Sequence, residues 1–440
     1  MSRFFRLVKN EYIKLLKKVS TKLLIVLVIL GSIGVVGIYK AIVEFSDDDY
    51  YYQGSNEVDY TSDIEWYNST KPDGYERIVE LYTYLDTLEL DYVEDEDIMQ
   101  MVWLIEESEL TAAQAENILD PWVNGGDWKA SLEAAAEYTD NEARIWELDY
   151  RIENDIAYNG SWQDELVTEI MYAKENLEAY VGTDSQSEYE DEITLGLYRL
   201  ENNIAINAAD AADEDALYDT VDLSIMWYSL VNPSIFITLV GLVVMVAAGS
   251  IVANEYSTGT VKFLLVNPVK RWKILLSKYF TIISFGYILT LVSFVIVVLT
   301  SGIVTGFSEF GASYLEVVDG VVVSSSAYSH AAVEWLVGSI EFVAMGTFAM
   351  AISALSKNSA LSVGLSIFLT LSGYTLVAML NSLGFDWARY ILFANLDFTS
   401  IASGNSSFAQ HSLGFAITVI VAHMVVFLLT MFDAFDKKEI

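Results

Sequence analysis

The sequence predicts an all-α membrane protein with six transmembrane helices and a separate helical domain outside the membrane. Of the 440 residues, 53% are hydrophobic although the net charge is −37, a combination that is unusual in one soluble globular body. The charge is also concentrated. Residues 46–230 contain 48 Asp and Glu against 7 Lys and Arg, whereas the rest of the chain has 13 acidic and 17 basic residues. A nearly neutral membrane body therefore carries one strongly acidic insert.

Composition and motifs exclude several classes of function. The negative charge argues against nucleic acid as a partner, and the absence of cysteine excludes disulfides and thiolate metal sites. No phosphate-binding GxxxxGK(S/T) loop, HExxH motif or nucleophile elbow occurs. The acidic runs lack the glycine spacing of a calcium loop, and the three histidines are scattered. We therefore expect no catalytic residues, no metal site and no cofactor bound directly.

Residues 1–22 predict an amphipathic helix that lies in the membrane interface on the cytoplasmic side. This segment holds seven basic residues and one acidic residue. At about 100° per residue, its main apolar side chains fall within about 120° of one another. They are Phe4, Phe5, Val8, Tyr12, Leu15, Leu16 and Val19. We expect the lysines to face anionic lipid headgroups. A signal peptide is the weaker alternative, because no small-residue cleavage site follows and the next apolar run is too long.

Six apolar runs are long enough to cross a hydrocarbon core of about 30 Å. The first predicted transmembrane helix is 23–45, and the other five fall within 231–440. Their predicted bounds are Pro233–Val252, Thr281–Val304, Ala331–Leu355, Ala360–Leu380 and Ser412–Phe432.

The basic residues of the short loops predict the orientation in the membrane. One side receives residues 1–22, the 253–280 loop with five Lys and Arg, Lys357, Lys437 and Lys438. The loops on the other side, 305–330 and 381–411, have only Arg389 between them. We therefore expect a plasma-membrane protein with both termini cytoplasmic and residues 46–230 extracellular. The acidic domain without cysteine suits the surface of a bacterial cell.

The acidic segment 46–230 has a helical pattern, with large apolar residues at three- and four-residue spacing. The predicted helices are Tyr75–Leu88, Ile98–Glu107, Thr111–Leu119, Trp128–Ala157, Trp162–Val181 and Glu188–Asn207. Thr111 and Gln114 predict a capping box, and Gly125-Gly126 and Gly182 predict helix stops. The segment is long enough to form its own core.

The two loops on the extracellular side differ in pattern. Residues 305–330 are rich in Ser, Gly and Val and predict a flexible or short-strand connector. Residues 387–394 predict short re-entrant helices, which are tolerated only where protein covers their backbone.

Two ionisable residues lie inside predicted spans, where they are costly and therefore informative. Glu341 falls within the fourth span and His423 within the sixth, at similar depths. As a pair they would line a polar translocation path. The alternative is that each faces protein or water and only fixes helix packing.

The loop between the second and third spans carries a family resemblance. Its sequence EYSTGTVKFLLVNPVKRWKILLSKYF resembles the corresponding segment of ABC-2 type transporter permeases, the membrane subunits of a class of ABC exporters. The matching residues are Glu255, Gly259, Thr260, Leu264, Leu265, Pro268, Arg271 and Lys278. The resemblance extends to the basic N-terminus, the six-span layout and the ending FDKKEI. It does not include the acidic domain, which is an insert after the first span.

The resemblance implies a permease subunit that forms the translocation pathway as a dimer, with itself or with a sister permease. Separate cytoplasmic ATPase subunits would use the ATP and Mg²⁺. In the residues themselves, Gly259 permits a sharp turn and Pro268 ends a short helix. That helix would present Leu264 and Leu265 to a partner surface.

Three alternatives remain open at this stage. In the first, the chain is a surface sensor or scaffold whose extracellular domain binds a peptide or wall component without transport. In the second, the 253–280 loop is an ordinary connector whose charges only set topology. An intramembrane enzyme is disfavoured because paired catalytic groups are missing.

Overall fold

The computed structural model describes residues 2–47, 58–90, 96–183, 185–205, 227, 229–230, 233–260, 269–307, 311, 313–318, 320–398, 401, 406, 408 and 411–437. The chain divides into two compact units. One comprises residues 1–49, 207–314 and 324–440, and we call it the membrane unit. The other comprises residues 50–206 and 315–323, and we call it the acidic unit. The domain boundaries expected from the sequence, 46 and 230, stay a prediction.

The described elements are mainly α-helices. In chain order they are α1 (Ser2–Lys17), α2 (Val19–Asp47), α3 (Thr61–Thr70), α4 (Tyr75–Asp86), α5 (Glu96–Glu107), α6 (Ala112–Val123), α7 (Trp128–Ala136), α8 (Glu142–Asn154), α9 (Trp162–Ala179), α10 (Gln186–Asn202), α11 (Ser234–Ile251), α12 (Ala253–Ser257), α13 (Arg271–Thr305), β1 (Ser313–Val318), β2 (Val321–Ser326), α14 (Ala327–Gly338), α15 (Ile340–Ser356), α16 (Ser359–Ser382) and α17 (Leu413–Lys437). Two 3₁₀ helices, Asp386–Tyr390 and Leu392–Asn395, lie between α16 and α17.

Six helical stretches of the described chain are long and apolar enough to cross a membrane, which confirms the six predicted spans. They are Val19–Ala41, Ser234–Ser257, Arg271–Val304, Ala327–Ser356, Ser359–Ser382 and Leu413–Phe435. The third begins well before the predicted Thr281. The basic stretch from Arg271 continues into the span as one helix, since nothing in it breaks the helix.

The second span, α11, lies at the centre of the membrane unit. It packs against α2, α13, α15 and α16, and 67% of its most apolar 18-residue segment is buried. A helix that is apolar all round is expected to be buried. Gly286 of α13 allows a close approach, because a Cβ there would lie 2.6 Å from the Phe342 ring and 3.0 Å from Val244.

The first, fifth and sixth spans are far less covered. Only 28%, 17% and 22%, respectively, of the most apolar 18-residue segment of each span is buried within the chain. Their outer faces carry large apolar side chains such as Leu30, Phe368 and Leu429, each at least 60% exposed. These faces are suited to lipid or to a further transmembrane partner.

The 305–330 loop contains a two-stranded sheet of β1 and β2, so the described chain is not purely helical. Gly320 lies between the strands and has φ of +75°, which an L side chain rarely adopts. The short-strand expectation for this loop is confirmed.

The 381–411 loop is organised around Asn395, which is fully buried. Its amide nitrogen donates to the carbonyls of Arg389 (2.9 Å) and Ile391 (2.8 Å). Its Oδ1 lies 2.9 Å from Nε2 of His411, and Nδ1 of His411 lies 2.6 Å from the Ser406 hydroxyl. Since Oδ1 only accepts, Nε2 carries the proton and Nδ1 accepts from the serine. Burial, and then Arg389, lower the pKa of His411, which favours this neutral form.

The acidic unit has the predicted helical character, with one correction. The predicted helix Trp128–Ala157 is two helices, α7 and α8, because Asn141 caps α8 by accepting from the Arg144 amide at 3.1 Å. The capping box at Thr111 is confirmed, since Thr111 and Gln114 each bond the other's backbone N–H. Helix α3 was not predicted.

A buried ion network holds α8 against α9 in the acidic unit. Arg151 donates to Glu147 (2.9 Å), Asp164 (2.8 Å) and the Thr168 hydroxyl (2.7 Å). Its guanidinium also lies 3.9 Å from the Tyr158 ring centroid. Each buried charge is therefore paired, as a buried charge must be.

Candidate functional site

A cluster of charged side chains joins three separate parts of the membrane unit. Lys278 of α13 donates from Nζ to Oε2 of Glu11 in α1 and to Oε1 of Glu255 in α12, both at 2.7 Å. Lys14 adds a second cation, 2.9 Å from Oε1 of Glu11 and 3.5 Å from Oε1 of Glu255. We call these four residues the ion cluster.

Helix packing explains why the ion cluster is buried. Glu11 lies on the same face of α1 as Val8 and Leu15, and all three residues are less than 9% exposed. Lys278 is fully buried beside Leu275 and Ile282. A buried ammonium is tolerated only when paired, so Lys278 needs both carboxylates.

The charges of the cluster are mutually stabilised. Burial by itself would raise the pKa of Glu11, but Lys278 and then Lys14 outweigh it, and the pKa is lowered. Burial would lower the pKa of Lys14, but Glu11 and then Glu255 outweigh it, and the pKa is raised. Both groups are therefore charged at neutral pH.

Two further contacts fix α1 along α13. The Tyr12 hydroxyl lies 2.7 Å from the Ser284 hydroxyl. The Phe4 and Phe280 rings meet edge to face, with centroids 6.1 Å apart. Helix α1 is therefore attached along its length, with the ion cluster as its buried polar centre.

The structure brings together some of the residues that the sequence singled out in the 253–280 loop. Glu255 and Lys278 form the salt bridge of the cluster. Gly259 has φ of +72°, which is the sharp turn its type suggests. Thr260 lies beside it, with its hydroxyl 2.9 Å from that of Thr258. Arg271 begins α13 and is not part of the cluster.

Three predicted contact residues cannot be placed. Leu264, Leu265 and Pro268 lie outside the described residues, as does the predicted short helix beyond Thr260. Their role stays a prediction.

Three of the basic segments meet at one end of the helix bundle. The ion cluster joins α1 to the 253–280 loop. The Lys357 ammonium lies 4.6 Å from the Tyr256 ring centroid, and the Ala253 amide donates to the Ser353 hydroxyl at 3.0 Å. The ends of the second and fourth spans therefore lie together, beside the N-terminal helix.

Glu341 and His423 do not pair. Glu341 lines a cavity of about 190 Å³ with Glu334, Asp397 and Tyr374 among its other walls. His423 is not one of the lining residues, and its Nδ1 lies 2.9 Å from the Val419 carbonyl one turn earlier. The expected cross-helix pair is therefore absent among the described residues, and the polar path stays a hypothesis for Glu341.

Sequence reasoning missed Glu11. It is the single acidic residue in a segment with seven basic ones. At about 100° per residue it falls within about 20° of Phe4, at the edge of the apolar arc. An acid on the apolar side of a basic helix is the signal that would have identified it.

The fold and this cluster define a helical membrane protein with several spans. The chain belongs to the family described as "Protein of unknown function (DUF2705)", whose profile matches residues 216–440. The matched region contains Glu255 and Lys278 but neither Glu11 nor most of the acidic unit.

Two relatives from Bacillus subtilis (strain 168) are similar to this chain. "Uncharacterized protein YhcI" is 32% identical over 284 residues, which cover 64% of this chain and 85% of the relative. "Uncharacterized membrane protein YdbK" is 31% identical over 222 residues, which cover 50% of this chain and 85% of the relative. No solved structure matches the chain.

The first prediction concerns Lys278. Lys278→Gln leaves the buried carboxylates of Glu11 and Glu255 with the half-exposed Lys14 as their one cation in the cluster, so we expect a loss of about 3–5 kcal/mol in the free energy of unfolding. We also expect faster amide hydrogen exchange in residues 2–17 as α1 detaches. The matched control is Lys273→Gln on the same helix, whose side chain is exposed, with an expected change below about 0.5 kcal/mol. Equal effects of the two variants would contradict the role of Lys278.

The second prediction is a pH dependence. Because the pKa of Glu11 is lowered below 4.5, its stabilising effect is fully present above that value. The effect is lost as pH falls through the lowered pKa. The difference in Tm between the native chain and Glu11→Gln should stay constant from about pH 8 to about pH 5 and shrink below that. A difference that closes between about pH 7 and pH 6 would require another titrating group.

Proposed function

We propose that the protein is the permease subunit of an ATP-driven ABC exporter, coupled through residues 253–280 to separate ATPase subunits. The observation that carries the proposal is the meeting of Glu255 and Lys278. Both belong to the segment that resembles ABC-2 permeases, and both contact α1. Lys278 donates to Glu11, and Glu255 lies 3.5 Å from the Lys14 ammonium group. The connector between the second and third spans is thereby tied to the helix that leads into the first span.

This linkage suits a subunit that is driven from outside. A partner that displaces the 258–270 connector would move α13 directly and α1 through Lys278. Separating the cluster would expose unpaired buried charge, which costs several kcal/mol. The connector, α13 and α1 would therefore move together, so that displacement of the connector by a partner would shift both the first and the third span.

The arrangement of basic residues supports the proposed orientation. The N-terminal helix, the 253–280 loop and Lys357 lie at one end of the bundle, and under the positive-inside rule this end is cytoplasmic. Residues 46–230 would then be extracellular. Helix α1 leaves Phe5, Ile13 and Leu16 more than 40% exposed, as expected of an amphipathic helix in the membrane interface.

The exposed faces of the first, fifth and sixth spans support assembly with a second permease, identical or not. The sequence has no phosphate-binding loop, so the ATP and Mg²⁺ would be used by the partner ATPase. The cavity beside Glu341 is a candidate part of the translocation path, since polar groups within spans favour such sites.

The third prediction tests the coupling. The tagged chain is purified from its native membrane, the co-purifying ATPase is identified, and the complex is reconstituted. Leu264→Asp with Leu265→Asp should abolish the stimulation of ATP hydrolysis by the permease, because charged side chains would replace an apolar contact. The matched control is Val321→Asp with Val323→Asp in the strand hairpin, where both valines are exposed, and it should leave coupling unchanged.

Two outcomes would contradict the proposal. If no ATPase co-purifies with the native chain, the surface sensor or scaffold becomes the better account. If an ATPase binds but the leucine variant remains fully coupled, residues 253–280 are not the coupling element.

A further inference from the structure

A cavity of about 450 Å³ lies beside the ion cluster, where α1, α11, α12 and α13 meet. Its volume falls within the range of small-ligand sites, about 300–1,000 Å³. One wall is apolar and is formed by Leu15, Ala247 and Ile251. The rest is polar and includes Asn254 and Thr258, together with the charged groups. The cavity therefore has the two-sided chemistry of a site for an amphiphile.

Two groups in the cavity wall lack protein partners among the described residues. One is a carboxylate oxygen without a donor, and the other is an ammonium group without an anion. Glu255 binds Lys278 through Oε1, but its buried Oε2 has no hydrogen-bond donor in the described part of the chain. Such an oxygen is costly to leave unpaired. Lys18 lines the same cavity, and among the described residues it forms no salt bridge. Lys18 is exposed, but partial loss of water around it, and then the charge of Lys278, lower the pKa of its ammonium group.

The overall charge favours a ligand with a single negative charge. Three lysines and two glutamates line the cavity, so its wall carries one net positive charge. A phosphodiester would neutralise that charge at Lys18. A hydroxyl group on the same ligand would donate to Glu255 without changing that charge. A ligand that satisfies both groups therefore combines a phosphodiester with a hydrogen-bond donor a few atoms away.

The position of the cavity favours a lipid as the source of this chemistry. Lys18 lies at the break between the amphipathic helix α1 and the first span α2. Basic side chains at that level face phospholipid headgroups. The apolar wall continues from there into the second span through Ile251 and Ala247. A headgroup would occupy the polar part while the acyl chains lie along the apolar wall.

We propose that this cavity binds the headgroup of a phospholipid whose phosphate pairs with Lys18 and whose hydroxyl group donates to Glu255. The bound lipid completes the polar contacts of the ion cluster and holds α1 on the connector. This inference goes beyond the proposed export function and does not depend on it, because the site lies within one chain.

The test uses the full-length chain in detergent without any ATPase. Dioctanoyl phosphatidylglycerol, which carries a phosphate and hydroxyl donors, is titrated while binding is followed by native mass spectrometry and by Tm. Phosphatidylcholine of the same chain length has the phosphate but no N–H or O–H donor, and inorganic phosphate has no acyl chain. We expect saturable binding of phosphatidylglycerol and binding of phosphatidylcholine that is weaker by roughly tenfold or more, because both the hydrogen-bond donor and the net negative charge are lost.

Variants locate the site. Lys18→Gln should weaken phosphatidylglycerol binding by roughly tenfold or more, since it removes the partner of the phosphate. The matched control is Lys17→Gln, an adjacent exposed lysine that does not line the cavity, and it should leave binding unchanged. Because Lys18 is exposed at the cavity mouth, the variant should fold normally, and unchanged Tm without lipid verifies this.

Three results would overturn the proposal. Equal binding of phosphatidylglycerol and phosphatidylcholine would remove the role of Glu255. Equal weakening by the two lysine variants would show only general attraction to the basic helix. Stabilisation by inorganic phosphate at the same concentrations, with the same dependence on Lys18, would assign the site to a free anion. None of these results bears on coupling to an ATPase, so the export proposal stands or falls separately.

Discussion

The membrane unit depends on one buried ammonium group. Lys278 has no access to water, and it is tolerated only because Glu11 and Glu255 both reach it at 2.7 Å. Its carboxylate partners lie on different helices, so the requirement to pair one charge fixes the positions of α1 and α12 against α13. Packing alone would not specify this register, because apolar contacts tolerate small shifts that a buried salt bridge does not.

This constraint relates the proposed coupling to the proposed lipid site. Glu255 takes part in both, since it lines the cavity, one of its oxygens holds Lys278, and the other is buried without a donor among the described residues. A lipid that donates to the second oxygen would stabilise the same arrangement that connects the 258–270 connector to the first and third spans. The cluster would then respond from one side to a protein partner and from the other to the surrounding membrane.

The sequence predicted those features that depend on local pattern. Hydropathy located all six spans, and the Thr111 capping box and the turn at Gly259 followed from residue types with a defined local geometry. The split between α7 and α8 was missed because the apolar spacing continues across it, and the break depends on the side chain of Asn141, which caps α8. The segment around Leu264 and Leu265 stays a prediction.

The ion cluster was beyond local pattern reading. Glu11 and Lys278 are 267 positions apart, and no periodicity relates residues at that separation. The pairing forms only when α1 lies along α13, an arrangement in which the Tyr12 and Ser284 hydroxyls also contact each other. Glu341 and His423 show the converse, because similar depth in two spans suggested a pair, whereas the helices present these side chains to different surroundings.

The most direct test of this account is a double-mutant cycle between Glu11 and Lys278. The free energy of unfolding is measured in mixed micelles for the native chain, Glu11→Gln, Lys278→Gln and the double variant. A parallel cycle pairs Glu11→Gln with Lys273→Gln. The account predicts a coupling free energy of about 1.5–3 kcal/mol for Glu11 with Lys278 and none for Glu11 with Lys273. Effects of Glu11 and Lys278 that add to within about 0.5 kcal/mol would contradict it, because the two residues would then not hold each other in place.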